Sequence, residues 1–243
     1  MNGFALSLAF APLSPWLLLQ GRRVRRDTPR LPPAAGPQSG LCEGPDDQAA
    51  LRIALFGEST VAGVGAASHD EALAGHLARA LRTRFGRPVA WDAYGLSGAS
   101  VAAAHANLLP VVAVTRVDLF VVVFGVNDVL EHTSPARYAA RVAALVEALR
   151  ARGGPAPVLL AGAPPMAQFP SLPRPLSTYL GARAALLDRA VARAAIANSL
   201  QVAAVLRIEP HLFADDGFHP SPAGYAAWAD ALAHAAQSMN SLS

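Results

Sequence analysis

Beyond residue 50, short and continuous apolar runs alternate with longer segments rich in Ala, Leu and Arg whose apolar positions recur at helical spacing. The runs at 51–56, 89–94, 119–124, 158–161 and 202–206 are expected strands. Leu119-Phe120-Val121-Val122-Val123-Phe124 is the clearest of them, because an uninterrupted apolar run suits a strand covered on both faces. Between them, residues 70–84, 101–109, 135–152 and 178–198 carry helix formers with one apolar face, and 222–237 closes the chain in the same way. Strand and helix in strict alternation predict βα units joined by right-handed crossovers. The expected fold class is therefore α/β, a three-layer α/β/α sandwich around a five-stranded parallel sheet. Ligands collect at the carboxyl ends of the strands in such sheets, so the residues just after each strand are where chemistry is to be sought. No internal repeat interrupts the pattern.

The first 48 residues break it. Residues 2–20 carry no charge, and 3–19 are apolar apart from Ser7 and Ser14, about the shortest stretch that spans a bilayer as a helix. Pro12 and Pro15 would kink such a helix, and the basic cluster follows the apolar stretch instead of preceding it, the reverse of a secretory signal. Residues 1–20 are thus a candidate membrane anchor, and insertion would hold the following domain on the cytoplasmic face. A poorly ordered leader or a surface-lying segment is the alternative, and for the protein a soluble cytoplasmic or periplasmic location. Residues 21–48, Arg-rich and then Pro/Gly-rich, are an expected tether leading to a catalytic domain at 49–243.

Composition changes the picture in two respects. Of 243 residues, 53% are apolar, enough for a sizeable core. All 20 basic residues are arginine, and five of them, Arg22, Arg23, Arg25, Arg26 and Arg30, lie in one short run. From residue 45 onward 15 arginines face 15 acidic residues, so the folded body has no broad positive field and nucleic acid is not an expected partner. Cys42, the single cysteine, excludes an internal disulfide and a cysteine-built zinc site.

The residues after the strands supply candidate chemistry. After the first comes Gly57-Glu58-Ser59-Thr60, a small-residue turn that can present a hydroxyl or, in the plainer reading, cap a helix. Gly95-Leu96-Ser97-Gly98 follows the second strand and Gly125-Val126-Asn127-Asp128 the third. The N–H groups of Ser59 and Gly95 and the amide of Asn127 would converge as donors for an oxygen that becomes negative in acyl transfer. As ordinary turns, the same residues would need no function, and Asp128 would cap the next segment. Before the last helix stands Asp216-Gly217-Phe218-His219, a spacing that lets the carboxylate reach one imidazole nitrogen while the other faces a nucleophile.

These four motifs, in this order and context, resemble the blocks of the SGNH hydrolase family, also called GDSL hydrolases, over residues 51 to about 237. The resemblance implies the flavodoxin-like SGNH fold and a Ser-His-Asp esterase with Ser59 as nucleophile, His219 as base and Asp216 orienting it. Gly95 and Asn127, with the Ser59 amide, would form the oxyanion hole; no cofactor or metal is implied. Glu58 stands where the family usually has Asp, Thr60 where it has Leu, and Tyr94 precedes Gly95 where many relatives place a polar residue further upstream. The expected substrate is a small-molecule or lipid ester.

Met166, Phe169 and Leu172, in a proline-rich loop after the fourth strand, are candidates for its acyl pocket. His69 and His76 are expected on a solvated helix, without a metal. Thioester hydrolysis, sugar O-deacetylation and acyl transfer to an alcohol would use the same residues. A flavodoxin-like nucleotide or flavin binder would use only the turn after the first strand, leaving Asn127, Asp216 and His219 idle. A membrane-tethered module with a decayed site rests on Glu58 alone.

Overall fold

The computed structural model describes residues 3–45, 48–113, 116–197, 200–203 and 209–239. Within them the strands are β1 (Ser39–Cys42), β2 (Leu51–Gly57), β3 (Val89–Gly95), β4 (Leu119–Val123), β5 (Val158–Ala161) and β6 (Gln201–Val202). They form one sheet in the order β1-β3-β2-β4-β5-β6, parallel throughout except for β1, which runs antiparallel to β3. The helices are α1 (Gly3–Phe10), α2 (Ser14–Asp27), α3 (Leu73–Phe85), α4 (Val101–Asn107), α5 (Val126–Leu130), α6 (Pro135–Gly153), α7 (Leu176–Ala197) and α8 (Pro222–Gln237).

Side chains of successive strand residues point to opposite faces, and the two cores divide accordingly. Ile53, Leu55, Leu119 and Val121 pack with α3 and α8 on one face. Ala54, Phe56, Phe120 and Val122 pack with α4, α6 and α7 on the other. All five residues of β4 are buried, as its unbroken apolar run requires. The three layers place the carboxyl ends of β2, β3 and β4 side by side.

The sheet has six strands among the described residues, one more than the hydrophobic pattern predicts. The additional strand lies in the stretch expected as a tether: Ser39–Cys42 pairs with the otherwise free edge of β3. Its sequence has no apolar alternation to betray it. Gly40 lies opposite Trp91, and a Cβ there would sit 2.6 Å from the indole, so the close approach suits glycine alone. Of the expected strand at 202–206, Val202 belongs to β6, while 204–208 lie outside the described residues.

The apolar start of the chain is two helices instead of one. Pro12 falls in the turn between them, and Pro15 sits in the first turn of α2, where a missing N–H costs no helical hydrogen bond. Among the described residues no helix is long and apolar enough to cross a membrane. The pair instead lies against the domain. Leu6 and Leu17 are buried in the α6/α7 core, and Phe10 packs on Tyr179 with ring centroids 5.2 Å apart. Buried Gln20 accepts from Leu176 N–H (3.2 Å) and donates to the Arg174 carbonyl (2.7 Å), fastening α2 to the start of α7. Farther on, Ala34 N–H donates to Ala62 O and Ala35 N–H to Ala67 O, both at 3.0 Å, along the turn that follows β2.

Candidate active site

Where β2 ends, Glu58–Gly65 folds into a compact turn: Val61 and Ala62 N–H groups donate to Glu58 O, and Val64 N–H to Ser59 O. Ser59 is left half-buried at its tip. Gly65, at φ +98°, lies so close to Pro220 that a Cβ would overlap the Pro220 carbonyl oxygen, which brings this turn against the loop preceding α8. The Tyr225 hydroxyl donates to Val64 O (2.7 Å) and ties α8 to the same turn. The loop itself is closed by Ala214 N–H to His219 O (2.8 Å), with Gly217 in the left-handed region at φ +60°. Ser221 then caps α8 by accepting from Gly224 N–H.

Two loops separated by 160 residues thereby meet. His219 Nε2 lies 2.9 Å from Ser59 Oγ, and His219 Nδ1 lies 2.6 Å from Asp216 Oδ2. Asp216 Oδ1 accepts from the N–H groups of Phe218 and His219, both at 2.9 Å. Burial alone would raise the Asp216 carboxyl, but the His219 ring and these two amides outweigh it and hold it below its ordinary value. An ionised carboxylate only accepts, so Nδ1 carries the imidazole proton and Nε2 is left to accept from the Ser59 hydroxyl.

Glu58 does not face the serine. It is 2% exposed, accepting from Val126 N–H and Asn127 N–H (3.2 Å each) and from the Asn127 side-chain amide (2.5 Å). Burial pushes its carboxyl up to about 7 even though these three donors oppose the shift. The Glu58 carboxylate thereby braces the end of β4. The Asn127 amide also donates to Ala99 O at 3.3 Å, so both of its hydrogens have partners in this state. Asp128 is fully buried and accepts from Val101 N–H at 2.9 Å, at the start of α4.

Gly95, the oxyanion donor the resemblance implies, does not turn its N–H toward the cavity. Leu96 N–H donates to Gly57 O, so strand alternation turns the Gly95 N–H toward the opposite edge, where Ala93 N–H already bonds Gln38 O. A Cβ at Gly95 would overlap the Ala62 backbone, which is reason enough for glycine there. Gly98, at φ +77°, lines the cavity beside Ser59, and its N–H, like that of Ser59, has no acceptor among the described residues.

That cavity, about 1070 Å³, contains Ser59, Asn127, Asp216 and His219 in its wall. Of the three pocket candidates only Leu172 lines it. Met166 is fully buried and Phe169 packs edge-on against Phe213 and Phe218, both beneath the loop. The lining that sequence reasoning missed comes from α7 (Leu176, Tyr179, Leu180), from Leu130 and, above all, from α1, α2 and residues 28–31. A signal for the last was present: Ser14, Leu17, Leu18, Gly21, Arg22 and Arg25 fall on one helical stripe. His69, expected on the surface, is 2% exposed and packs beside Trp91. Burial holds its imidazole below the ordinary value, with Asp70 opposing.

Comparison with known proteins identifies the family. Residues 55–227 match the GDSL-like lipase/acylhydrolase family. A GDSL-like esterase of Mycobacterium tuberculosis is 29% identical over 191 residues, which cover 75% of this chain and 60% of that protein; the chain thus spans less than two thirds of that relative's length. Among solved structures, an α/β hydrolase from the metagenome of Lake Arreo, Spain, superposes with a TM-score of 0.61 at 20% identity, over 79% of this chain and 98% of its own. A lipase/acylhydrolase from Enterococcus faecalis gives 0.58 at 20% identity, over 76% and 95%. The acetylxylan esterase Axe2 from Geobacillus stearothermophilus gives 0.57 at 16%, over 79% and 96%. At these identities the structures speak for the shared α/β fold. The family match, by contrast, runs from the end of β2 into α8 and takes in Ser59, Asn127, Asp216 and His219, so this chain belongs to the GDSL-like lipase/acylhydrolase family.

Proposed function

We propose that the protein hydrolyses carboxylic esters of short- to medium-chain acyl groups, acetyl included, through an acyl-enzyme formed on Ser59. His219 Nε2 removes the hydroxyl proton as Oγ attacks the ester carbonyl, and then returns it to the departing alcohol. Asp216 keeps Nδ1 protonated and stabilises the imidazolium that forms. Water, activated by the same nitrogen, then releases the acid and frees Ser59. The oxygen that becomes negative is received by the Ser59 N–H, by Gly98 N–H in the place first assigned to Gly95, and by the Asn127 amide. Asn127 must exchange its long contact with Ala99 O for the oxyanion, while the shorter one to Glu58 keeps the side chain oriented. No cofactor enters this scheme.

The observation that carries the reading is the continuous run of short contacts from Asp216 through His219 to Ser59, at 2.6 and 2.9 Å, opening on an apolar cavity. Reaction with a fluorophosphonate probe should modify Ser59, mapped by peptide mass spectrometry. Ser59→Ala should lower kcat on 4-nitrophenyl butyrate by a factor on the order of 10⁴ to 10⁶. Equal turnover by the variant and the parent would dismiss the nucleophile assignment.

A further inference from the structure

Part of the cavity wall, formed by α2, lies outside the family-matched span. The stripe facing the cavity changes character along the helix: Leu17 and Leu18 are followed by Gly21 and then by Arg22 and Arg25, with Arg30 beyond the helix end. From Leu17 to Arg25 the axial rise is about 12 Å, the scale of a single amphiphile. Arg23 and Arg26 pair with Asp27, at 3.5 and 2.7 Å, whereas Arg22, Arg25 and Arg30 have no ion pair among the described residues. Among the described residues the one carboxylate in the lining, Asp216, is already engaged by His219. The cationic end is therefore uncompensated.

Its position is also informative. The chain leaving Arg30 reaches the nucleophile's turn within four residues, where Ala34 N–H bonds Ala62 O. The apolar end of α2 is fastened through Gln20 to the start of α7, whose Leu176, Tyr179 and Leu180 continue the apolar wall. A volume of about 1070 Å³ far exceeds what an acetyl group occupies and lies at the upper end of the range for drug-sized ligands.

We infer that residues 14–31 form the specificity wall of the site, and that the substrate is an amphiphile: an acyl chain lying along Leu17, Leu18 and α7, esterified to an alcohol that bears an anionic group held by Arg22, Arg25 and Arg30. The anion is a phosphate, sulfonate or carboxylate on the substrate itself. This inference rests on the esterase reading and narrows it to one substrate class.

The test compares two esters of one acyl chain, 4-sulfophenyl decanoate and 4-nitrophenyl decanoate, below their critical micelle concentrations and without vesicles. The readout is the ratio of their kcat/KM values. In Arg22→Glu/Arg25→Glu/Arg30→Glu that ratio should fall about tenfold from the parent value, through KM of the sulfonated ester, since each exposed ion contact is worth a factor of about 1.5 to 5. The triple lysine variant should keep most of the parent ratio. In the parent, added salt should raise KM for the sulfonated ester far more than for the neutral one, a measurement that needs no variant. A ratio unchanged by charge reversal, together with equal salt responses for the two esters, would overturn the inference. So would a ratio that responds only once vesicles of anionic phospholipid are added, since the arginines would then serve a bilayer. Loss of both activities in Ser59→Ala tests the esterase reading separately: were that variant active, the reading would fall whatever the arginines do.

Discussion

The two walls of the cavity are built on opposite principles. The rim around Ser59 is a lattice of polar contacts: Ser59 and His219 meet across two loops, Glu58 and Asn127 join the ends of β2 and β4, and Asp216 is held by two amides and the imidazole of its own loop. Its glycines fit where nothing larger can, as at Gly65 against Pro220 and Gly95 against Ala62. The opposing wall, α1 and α2, is held mainly by apolar contact, with Leu6, Phe10 and Leu17 on α7 and its surroundings and with Gln20 as the polar fastening. Five large apolar side chains on that hairpin, Leu8, Leu13, Trp16, Leu18 and Leu19, remain exposed. Bond formation requires atoms fixed to a few tenths of an ångström, which the over-determined side offers the proposed chemistry. Recognition of an acyl chain tolerates sliding contact, which fits the part proposed for the hairpin.

This contrast can be broken at either wall. The largest effect is expected at the rim: Asp216→Asn preserves the shape of the loop but removes the acceptor that keeps Nδ1 protonated, and kcat should fall on the order of 10⁴-fold with KM little changed. Steady-state kinetics on 4-nitrophenyl butyrate measure it, and a loss under tenfold would mean that His219 needs no orienting carboxylate. Asn127→Ala, also at the rim, should raise the barrier of the chemical step by roughly 2.7–4 kcal/mol, a fall of about 10²- to 10³-fold in kcat, by removing one oxyanion donor. Pre-steady-state acylation rates would show it, and an unaltered acylation rate would assign the donors elsewhere. The smallest effect is expected at the hairpin. Gln20→Ala leaves the Leu176 N–H without its acceptor, which costs about 1–3 kcal/mol locally. KM for a decanoyl ester should rise several-fold while an acetyl ester is turned over as before, and limited proteolysis should cut sooner between α1 and α2. Equal effects on both chain lengths would show that the hairpin is part of the catalytic scaffold and not a separate wall.

Much of the rim was legible because its signals are local. The three-residue separation of Asp216 and His219 sets their contact within one loop, and the small residues around Ser59 imply a turn after a strand whatever lies nearby. Their assignment to one reaction came from the resemblance of four motifs in order. Gly95 shows where local reading stops. Two glycines stand three apart in Gly95-Leu96-Ser97-Gly98, and only the pairing of β3 with β2, through Leu96 N–H and Gly57 O, turns the Gly95 N–H toward the far edge of β3 and leaves Gly98 beside the cavity. Met166, Phe169 and Leu172 share one apolar loop, and nothing local distinguishes the one that faces the cavity from the two beneath it.

Residue order alone thus specified the alternating strands and helices, the placing of Ser59, Asn127 and His219 beyond strand ends or before the last helix, and the cationic run at 22–30, because each depends on neighbours within a turn or a short loop. The edge strand Ser39–Cys42, the turning of the Gly95 N–H away from β2 and the folding of an apolar leader onto the cavity were settled only in three dimensions. In each of these the partner lies tens to more than a hundred residues away, and an unpaired strand edge or an uncovered apolar groove leaves no periodic trace in the segment that comes to fill it.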